Sequence, residues 1–210
     1  TYIRQSLHDI YPPGELRSLT KIICCDLLGQ DAIDYYLGKD ITLSANEQCD
    51  LESIVERLKK NEPIQYILGT AYFYDLTFRV NPSVLIPRPE TEELVDRIIG
   101  RHHSQESRIL DIGTGSGCIA VTLAKHLPDA AVVAADISAE AIATARQNAE
   151  SNKTPVTFIQ TDILNRQAFD EIPGIFDVIV SNPPYVKQGE KVNMEANVLD
   201  YEPHLALFVN

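Results

Sequence analysis

The sequence predicts an α/β fold, in which an open parallel sheet follows a small helical region and a β-hairpin connector. Two observations support this prediction. From about residue 108 onward, strand-like and helix-like segments alternate, which is typical of a parallel sheet covered by helices on both faces. Before that point, apolar residues recur at helical spacing up to about Leu68, and a run rich in aromatic residues follows. The 210 residues suffice for one large or two small domains.

The helical region contains apolar residues at helical spacing from Leu16 to Leu28. A further helix is predicted to begin after Ser44, because Ser44 and Glu47 have the spacing of a capping box, in which each side chain satisfies a free backbone N–H group. Pro63 then starts a short turn. The region has no group of residues that suggests catalysis.

Residues 72–80 (YFYDLTFRV) are rich in aromatic and β-branched residues, and they are predicted to form a hairpin around Asp75. Several prolines then stiffen a connector, and the acidic run that starts at Glu90 begins a helix. The predicted domains are a helical domain, the hairpin connector and the α/β domain, which cover residues 1–70, 71–89 and 90–210.

Four parallel strands are predicted in the α/β domain, each separated from the next by a helix or a loop. Ser138 has the residue type and position of a cap for the second of the intervening helices. The strands are residues 108–112, 131–135, 156–160 and 176–181, and the helices are residues 119–127 and 138–151.

Composition disfavours several classes of protein. The formal net charge of −12 repels phosphate backbones, and no basic stripe offsets it, so no direct contact with nucleic acid is expected. No run approaches the roughly 18 to 20 apolar residues that cross a bilayer, and the first residues lack the pattern of a signal peptide. None of the four cysteines has the spacing of metal ligands. We therefore expect a cytoplasmic protein with no membrane partner and no metal.

A glycine-rich loop in residues 111–117 (DIGTGSG) follows the first predicted strand, and its glycines allow a ligand to approach the bare backbone. Asp136 ends the second strand on the same edge, where a carboxylate can accept hydrogen bonds from both hydroxyls of a ribose. Asp162 follows the third strand and could accept from an adenine amino group. Taken separately, the glycine loop could be a tight turn, and each of the two aspartates could be a helix cap or a turn residue. Together, at the edge where open α/β sheets bind ligands, they indicate an adenosine derivative.

The segment Asn182-Pro183-Pro184-Tyr185 follows the fourth strand on this edge. Two prolines fix the backbone and remove two N–H donors, which makes a stiff ledge. The Asn182 side-chain carbonyl and the Pro183 backbone carbonyl can both accept from one NH₂ group of an amide or aromatic amine, and Tyr185 can stack on the planar group. Much of the rate gain would then come from orientation of the reacting groups. The plain alternative is a Pro-Pro turn that closes a strand.

These motifs resemble the HemK-type family, the peptide chain release factor glutamine N5-methyltransferases. The resemblance extends over nearly the whole chain and is most specific in the segment IPRPETE. The segments that carry it are residues 69–73 (GTAYF), 84–92 (VLIPRPETE), 111–117 (DIGTGSG), 182–185 (NPPY) and 201–203 (YEP).

The resemblance implies a Rossmann-like class I methyltransferase sheet and transfer of a methyl group from S-adenosylmethionine, with S-adenosylhomocysteine as the product. The acceptor would be the glutamine of the Gly-Gly-Gln motif of a release factor, so that translation termination is affected. It also implies that the helical domain, residues 1–70, docks the protein substrate, and it implies site residues in this chain. The catalytic residues are Asn182, Pro183 and Tyr185, the substrate is held by Asn182, Pro183, Pro184 and Tyr185, and the cofactor is held by Gly113, Thr114, Gly115, Ser116, Gly117, Asp136, Asp162, Ile163 and Asn182.

Other expectations remain open at this stage. An N6-adenine or N2-guanine nucleic-acid methyltransferase would use the same ledge, but it needs a flipped base and a basic groove. A nucleotide sensor without chemistry would need no such ledge. The family's sheet continues with a fifth strand and a hairpin, so we expect a C-terminally truncated, incomplete sheet with the fourth strand at its edge. Tyr201-Glu202-Pro203 either contacts substrate or closes a loop, and the protein is expected to be a monomer.

Overall fold

The computed structural model describes residues 2–102, 106–166, 168–172 and 174–209. The chain forms two compact units, Thr1–Leu68 and Gly69–Asn210. The described ranges leave out a few residues of the predicted 90–210 domain, namely 103–105, 167, 173 and 210. Each unit has its own hydrophobic core.

The first unit consists of short helices around one apolar cluster. The predicted capping box is confirmed, because the Ser44 backbone N–H donates to Glu47 Oε2 at 2.8 Å and the Glu47 N–H donates to Ser44 Oγ at 3.3 Å. The helices are α1 (Tyr2–Leu7), α2 (Pro13–Ile22), a π-helical segment (Ile23–Leu27), α3 (Ala32–Tyr36), α4 (Ala45–Leu58) and α5 (Ile64–Leu68).

The apolar run from Leu16 to Leu28 does not form one α-helix. The Leu28 N–H donates to the carbonyl of Ile23, five residues earlier, so the last turn is wider than an α-helical turn. The helices α1 and α3 were not predicted, since one or two helical turns are too short to show a periodic pattern.

The second unit begins with a β-hairpin and continues as alternating strands and helices. Its strands are β1 (Thr70–Phe73), β2 (Leu76–Arg79), β3 (Arg108–Ile112), β4 (Ala131–Asp136), β5 (Val156–Gln160), β6 (Val178–Ser181), β7 (Val186–Lys187) and β8 (Phe208–Val209). Its helices are α6 (Pro89–His102), α7 (Cys118–His126), α8 (Ala139–Asn152), α9 (Ala168–Glu171), a 3₁₀ helix (Gln188–Asn193), α10 (Ala196–Tyr201) and α11 (His204–Leu207).

The predicted hairpin is confirmed. β1 and β2 pair antiparallel, and the two turn residues Tyr74 and Asp75 have positive φ angles of 47° and 60°. Such angles match the right-handed twist of the flanking strands. Phe73 and Phe78 are buried and pack with the helices that cover the main sheet. The hairpin is therefore anchored to the α/β core.

The main sheet has four parallel strands in the order β5-β4-β3-β6. The chain places β4 and then β5 on one side of β3, and it returns to place β6 on the other side. This reversal makes a topological switch point between β3 and β6. Open α/β sheets bind ligands at the carboxyl ends of the strands beside such a point. β6 is an edge strand of this sheet, as expected from the sequence.

Helices cover the two faces of the sheet unequally. The side chains of α6, α7 and α8 pack on one face in a single apolar cluster with Ile109, Val132 and Val180. On the other face, Ile172 and Phe176 pack over β3 and β4, but Ile179 of β6 is 64% exposed. Within the described residues, helices therefore cover one face of the sheet fully, as predicted, and the other face only in part.

Candidate functional site

Two of the predicted site segments lie side by side at the switch point. Ile112 at the end of β3 pairs with Ser181 at the end of β6, and the Ser181 hydroxyl donates to the Ile112 carbonyl at 2.7 Å. The next residue along each strand is Gly113 in one case and Asn182 in the other. The glycine loop and the Asn-Pro-Pro-Tyr segment therefore leave the sheet at the same level.

Hydrogen bonds to neighbouring strand ends fix the glycine loop. The N–H groups of Gly113 and Thr114 both donate to the Ala135 carbonyl, at 2.8 and 3.1 Å. The loop closes when the Gly117 N–H donates to the Thr114 carbonyl at 2.8 Å, and α7 begins at the next residue.

The glycines of the loop serve two different purposes. At Gly117 an added Cβ would lie 3.0 Å from the Cβ of Ala145, so the missing side chain allows α8 to pack against the loop. At Gly113 and Gly115 an added Cβ would meet nothing within 4 Å, and the φ angles are +72° and +55°. Packing therefore does not require glycine there, and the space above the backbone is open to a ligand.

Asp136 anchors the loop from the end of β4. Its Oδ2 accepts from the Gly115 N–H at 2.8 Å, and its Oδ1 accepts from the Ser138 N–H at 3.0 Å. Each carboxylate oxygen has a second lone pair. The side chain therefore keeps acceptor capacity for hydroxyl groups of a ligand. Sequence reasoning anticipated a ligand contact here but not the structural contact to Gly115.

Asp162 and Ile163 follow β5 on the same edge. Asp162 is exposed, and its Oδ1 accepts from the Leu164 N–H at 3.0 Å, which closes a turn. Ile163 is half-buried and packs on the apolar cluster that contains Leu110 and Val133. Contact of either residue with an adenine stays a prediction.

Asp111, the last residue but one of β3, is fully buried under the loop. Its Oδ2 accepts from the Thr114 hydroxyl at 2.6 Å, and the backbone N–H of Ala120 also interacts with the carboxyl group. Burial raises the pKa of this carboxyl group to about 7, and the nearby Asp136 carboxylate adds to the increase.

We expect Asp111 to make stability depend on pH. The pKa is about 7 in the folded chain against an ordinary 3.8, so between these values the folded state retains a proton that the unfolded state has lost. The free energy of unfolding should therefore decrease as the pH rises from about 4 to 7. Urea unfolding at several pH values should show a smaller decrease in Asp111→Asn, which keeps an acceptor for Thr114. Equal pH slopes in both proteins would contradict the assignment.

Asn182 is half-buried at the end of β6. Its Nδ2 lies 3.4 Å from the hydroxyl oxygen of Thr91, to which it donates. In the described part of the chain its Oδ1 has no hydrogen-bond partner. Pro184 is half-buried, and Pro183 and Tyr185 are exposed, with Tyr185 79% exposed. The segment thus offers a carbonyl oxygen and an uncovered aromatic ring.

Asn148 is a site residue that sequence reasoning missed. Its side chain is fully buried in α8. Its Nδ2 donates to the carbonyls of Ser116 and Arg79 at 2.8 and 3.0 Å, and its Oδ1 accepts from the Arg79 N–H at 2.7 Å. The amide therefore ties the glycine loop to the hairpin. The signal in the sequence was an amide at helical spacing from Ala141 and Ala145, on an otherwise apolar stripe.

The contact that Glu202 makes is a second feature that sequence reasoning missed. The Glu202 side chain is 1% exposed, and it accepts from Arg88 Nη2 at 2.5 Å and from the Ile86 N–H at 3.4 Å. The segment Tyr201-Glu202-Pro203 therefore binds the proline-rich connector and does more than close a local loop. No local pattern in the sequence announces this contact, because 114 residues separate Arg88 from Glu202.

Other features of the unit do not form part of the site. A cavity of about 460 Å³ is lined by Tyr72, Phe73, Tyr74, Asp75 and Glu92. It lies toward the opposite edge of the sheet, since Tyr74 packs against His126 at the end of α7. Over the described ranges, no three His, Cys, Asp or Glu side chains are grouped to hold a metal. No helix in these ranges is long and apolar enough to cross a membrane.

Comparison with known protein families assigns both units. The model of the methyltransferase small domain matches residues 91–200, and the model of the PrmC N-terminal domain matches residues 1–69. The first match covers the glycine loop, Asp136 and the Asn182 ledge, and it makes the α/β unit a methyltransferase domain.

Relatives named release factor glutamine methyltransferase show to which family of methyltransferases the chain belongs. The protein of Bacteroides thetaiotaomicron is 60% identical over 99% of this chain and 74% of its own length. The protein of Flavobacterium psychrophilum is 46% identical over 100% of this chain and 74% of its own length. The protein of Lactococcus lactis is 50% identical over 75% of this chain and 57% of its own length. The chain belongs to the release factor glutamine methyltransferase family.

Proposed function

We propose that this protein transfers a methyl group from S-adenosylmethionine to the side-chain amide nitrogen of the glutamine in the Gly-Gly-Gln motif of peptide chain release factors. The observation that carries the proposal is the juxtaposition, at one switch point, of an open glycine loop and the Asn182 ledge. Family membership supports the choice of substrate, because relatives 60% and 46% identical carry the name release factor glutamine methyltransferase.

The residues of the glycine loop and its neighbours fit the cofactor. The backbone is open at Gly113 and Gly115, and Asp136 keeps lone pairs for ribose hydroxyls. S-adenosylmethionine supplies a methyl group on a sulfonium centre when it is bound. We assign its binding to Gly113, Thr114, Gly115, Ser116, Gly117, Asp136, Asp162, Ile163 and Asn182.

The ledge acts on the substrate amide by orientation. The Asn182 Oδ1 atom and the Pro183 carbonyl accept from the two N–H groups of the glutamine side chain, while Pro184 keeps the backbone stiff. Tyr185 covers the planar amide with its exposed ring. Two acceptors on one nitrogen favour its pyramidal form, which frees the lone pair for attack. No strong base is required, since the alkylated nitrogen is acidic enough to lose its proton to water.

The test is methyl transfer in vitro with purified protein, labelled S-adenosylmethionine and a purified release factor. We expect label on the factor, located by mass spectrometry at the glutamine of Gly-Gly-Gln, and none on a factor with that glutamine replaced. Parallel reactions contain duplex DNA or tRNA. Label on nucleic acid alone would instead support the N6-adenine or N2-guanine reaction, and cofactor binding without any transfer would support a sensor.

Asp136 should contribute to cofactor affinity. We expect Asp136→Ala to raise the dissociation constant of S-adenosylhomocysteine about ten- to a hundredfold, because one or two charge-assisted hydrogen bonds are lost and the Gly115 N–H loses its acceptor. Isothermal titration calorimetry measures the change. Asp129→Ala, at an exposed position, is the matched control. An unchanged dissociation constant in Asp136→Ala would remove Asp136 from the site.

The remaining assignments belong to the same proposal. Residues 1–70 dock the release factor, residues 71–89 form the connector, and residues 90–210 bind the cofactor and carry out the transfer. The protein acts as a cytoplasmic monomer with no direct contact to nucleic acid or membrane, in keeping with its net charge of −12.

A further inference from the structure

Thr91 lies in the first turn of α6 and is buried beside Asn182. Its hydroxyl oxygen accepts from Asn182 Nδ2 at 3.4 Å. A side-chain amide has a donor end and an acceptor end. When the NH₂ group is turned toward α6, the carbonyl oxygen is on the other side, where it has no partner among the described residues.

Thr91 is held in turn by the connector. Its N–H donates to the Arg88 carbonyl at 3.0 Å, and the Arg88 guanidinium pairs with the buried Glu202. Glu202 also accepts from the Ile86 N–H, so it binds the connector on both sides of Pro87. Two prolines flank Arg88 and restrict its backbone. The position of Thr91 relative to β6 therefore depends on the contact between Arg88 and Glu202.

We propose that Thr91 is a positioning residue for methyl transfer, which keeps the Asn182 carbonyl oxygen turned toward the substrate nitrogen, and that the Arg88–Glu202 pair keeps Thr91 in place. The inference rests on the proposed function, in which Asn182 accepts from the glutamine amide. If the Asn182 amide rotated by half a turn, it would present N–H groups to the N–H groups of the substrate. Such an orientation binds the substrate amide poorly and orients its lone pair wrongly.

The first test separates turnover from binding. Thr91→Val keeps the shape of the side chain and removes the hydroxyl group, so turnover should decrease about tenfold, as for one lost hydrogen bond, with the dissociation constant of S-adenosylhomocysteine unchanged. Thr91→Ser should restore turnover. A lower melting temperature with unchanged turnover in Thr91→Val would show a purely structural role and overturn the proposal.

The second test does not depend on activity. In ¹H–¹⁵N spectra the side-chain NH₂ signals of Asn182, identified by their loss in Asn182→Asp, should shift and broaden in Thr91→Val and remain in Thr91→Ser. Glu202→Gln should shift these Asn182 signals in the same direction as Thr91→Val. Glu150→Gln, at an exposed position of α8, should leave them unchanged. Unchanged Asn182 signals in Thr91→Val overturn the proposal. Absence of methyl transfer by the wild-type protein would instead refute the proposed function and leave the amide orientation to be decided by these spectra.

Discussion

Replacement of Asn182 with alanine is expected to lower turnover by roughly 10²- to 10³-fold, the range for loss of one preorganised hydrogen-bonding group that acts on the reacting atoms. Cofactor affinity should stay near the wild-type value, because the lost acceptor acts mainly on the substrate nitrogen and eight other residues are assigned to the cofactor. Single-turnover methyl transfer and calorimetric titration of S-adenosylhomocysteine, performed on the same preparations, would measure the two effects separately.

The control for this prediction is Asn46→Ala. It makes the same chemical change at an exposed position in the first turn of α4, and it should leave both quantities unchanged. If Asn182→Ala weakened cofactor binding as strongly as Asp136→Ala does, the division of roles between the two residues would be wrong. If turnover persisted in Asn182→Ala, the ledge would not be the catalytic element.

Replacement of Asn148 with alanine is expected to reduce the free energy of unfolding by about 3 kcal/mol. The change leaves the buried Ser116 carbonyl and two partly buried backbone groups of Arg79 without these partners, at about 1 to 3 kcal/mol for a fully buried unsatisfied group before relaxation, and it opens a small cavity. Because the Ser116 carbonyl belongs to the glycine loop, cofactor affinity should decrease as well. Urea unfolding and calorimetric titration measure these effects.

Asn152→Ala is the matched control, since Asn152 lies one turn later on α8. Its Nδ2 donates to the Thr77 carbonyl at an exposed position and to the Asn148 carbonyl within the helix. We expect a smaller loss of stability and no change in cofactor affinity for this variant. Equal effects of the two substitutions would show that Asn148 stabilises the helix but does not position the loop.

The sequence predicted those parts of the fold that depend on local patterns. The capping box of Ser44, the cap of α8 by Ser138 and the strand Arg108–Ile112 all follow from residue types at fixed short spacings, and the structure confirms them. The π-helical segment at Ile23–Leu27 was not anticipated, because its apolar spacing is the same as that of an α-helix.

The same distinction between local pattern and tertiary contact applies to the residues of the candidate site. The glycine loop, Asp136 and Asn182 could be chosen because each follows a predicted strand, and the carboxyl ends of parallel strands share one edge. Thr91, Asn148 and Glu202 could not be chosen in this way, since their partners lie 91, 69 and 116 residues away in the chain. Their roles come from tertiary packing, which a single sequence does not display.

The pairing of Arg88 with Glu202 has a consequence for biosynthesis. The guanidinium group leaves the ribosome 114 residues before its carboxylate partner. At about 5 to 20 residues per second, the interval is roughly 6 to 23 seconds. During that time the strands β3 to β6 are synthesised, while the connector before Thr91 still lacks the ion pair between Arg88 and Glu202. On the proposed role of the Arg88–Glu202 pair, the orientation of the Asn182 amide is therefore fixed only after residue 202 has been synthesised.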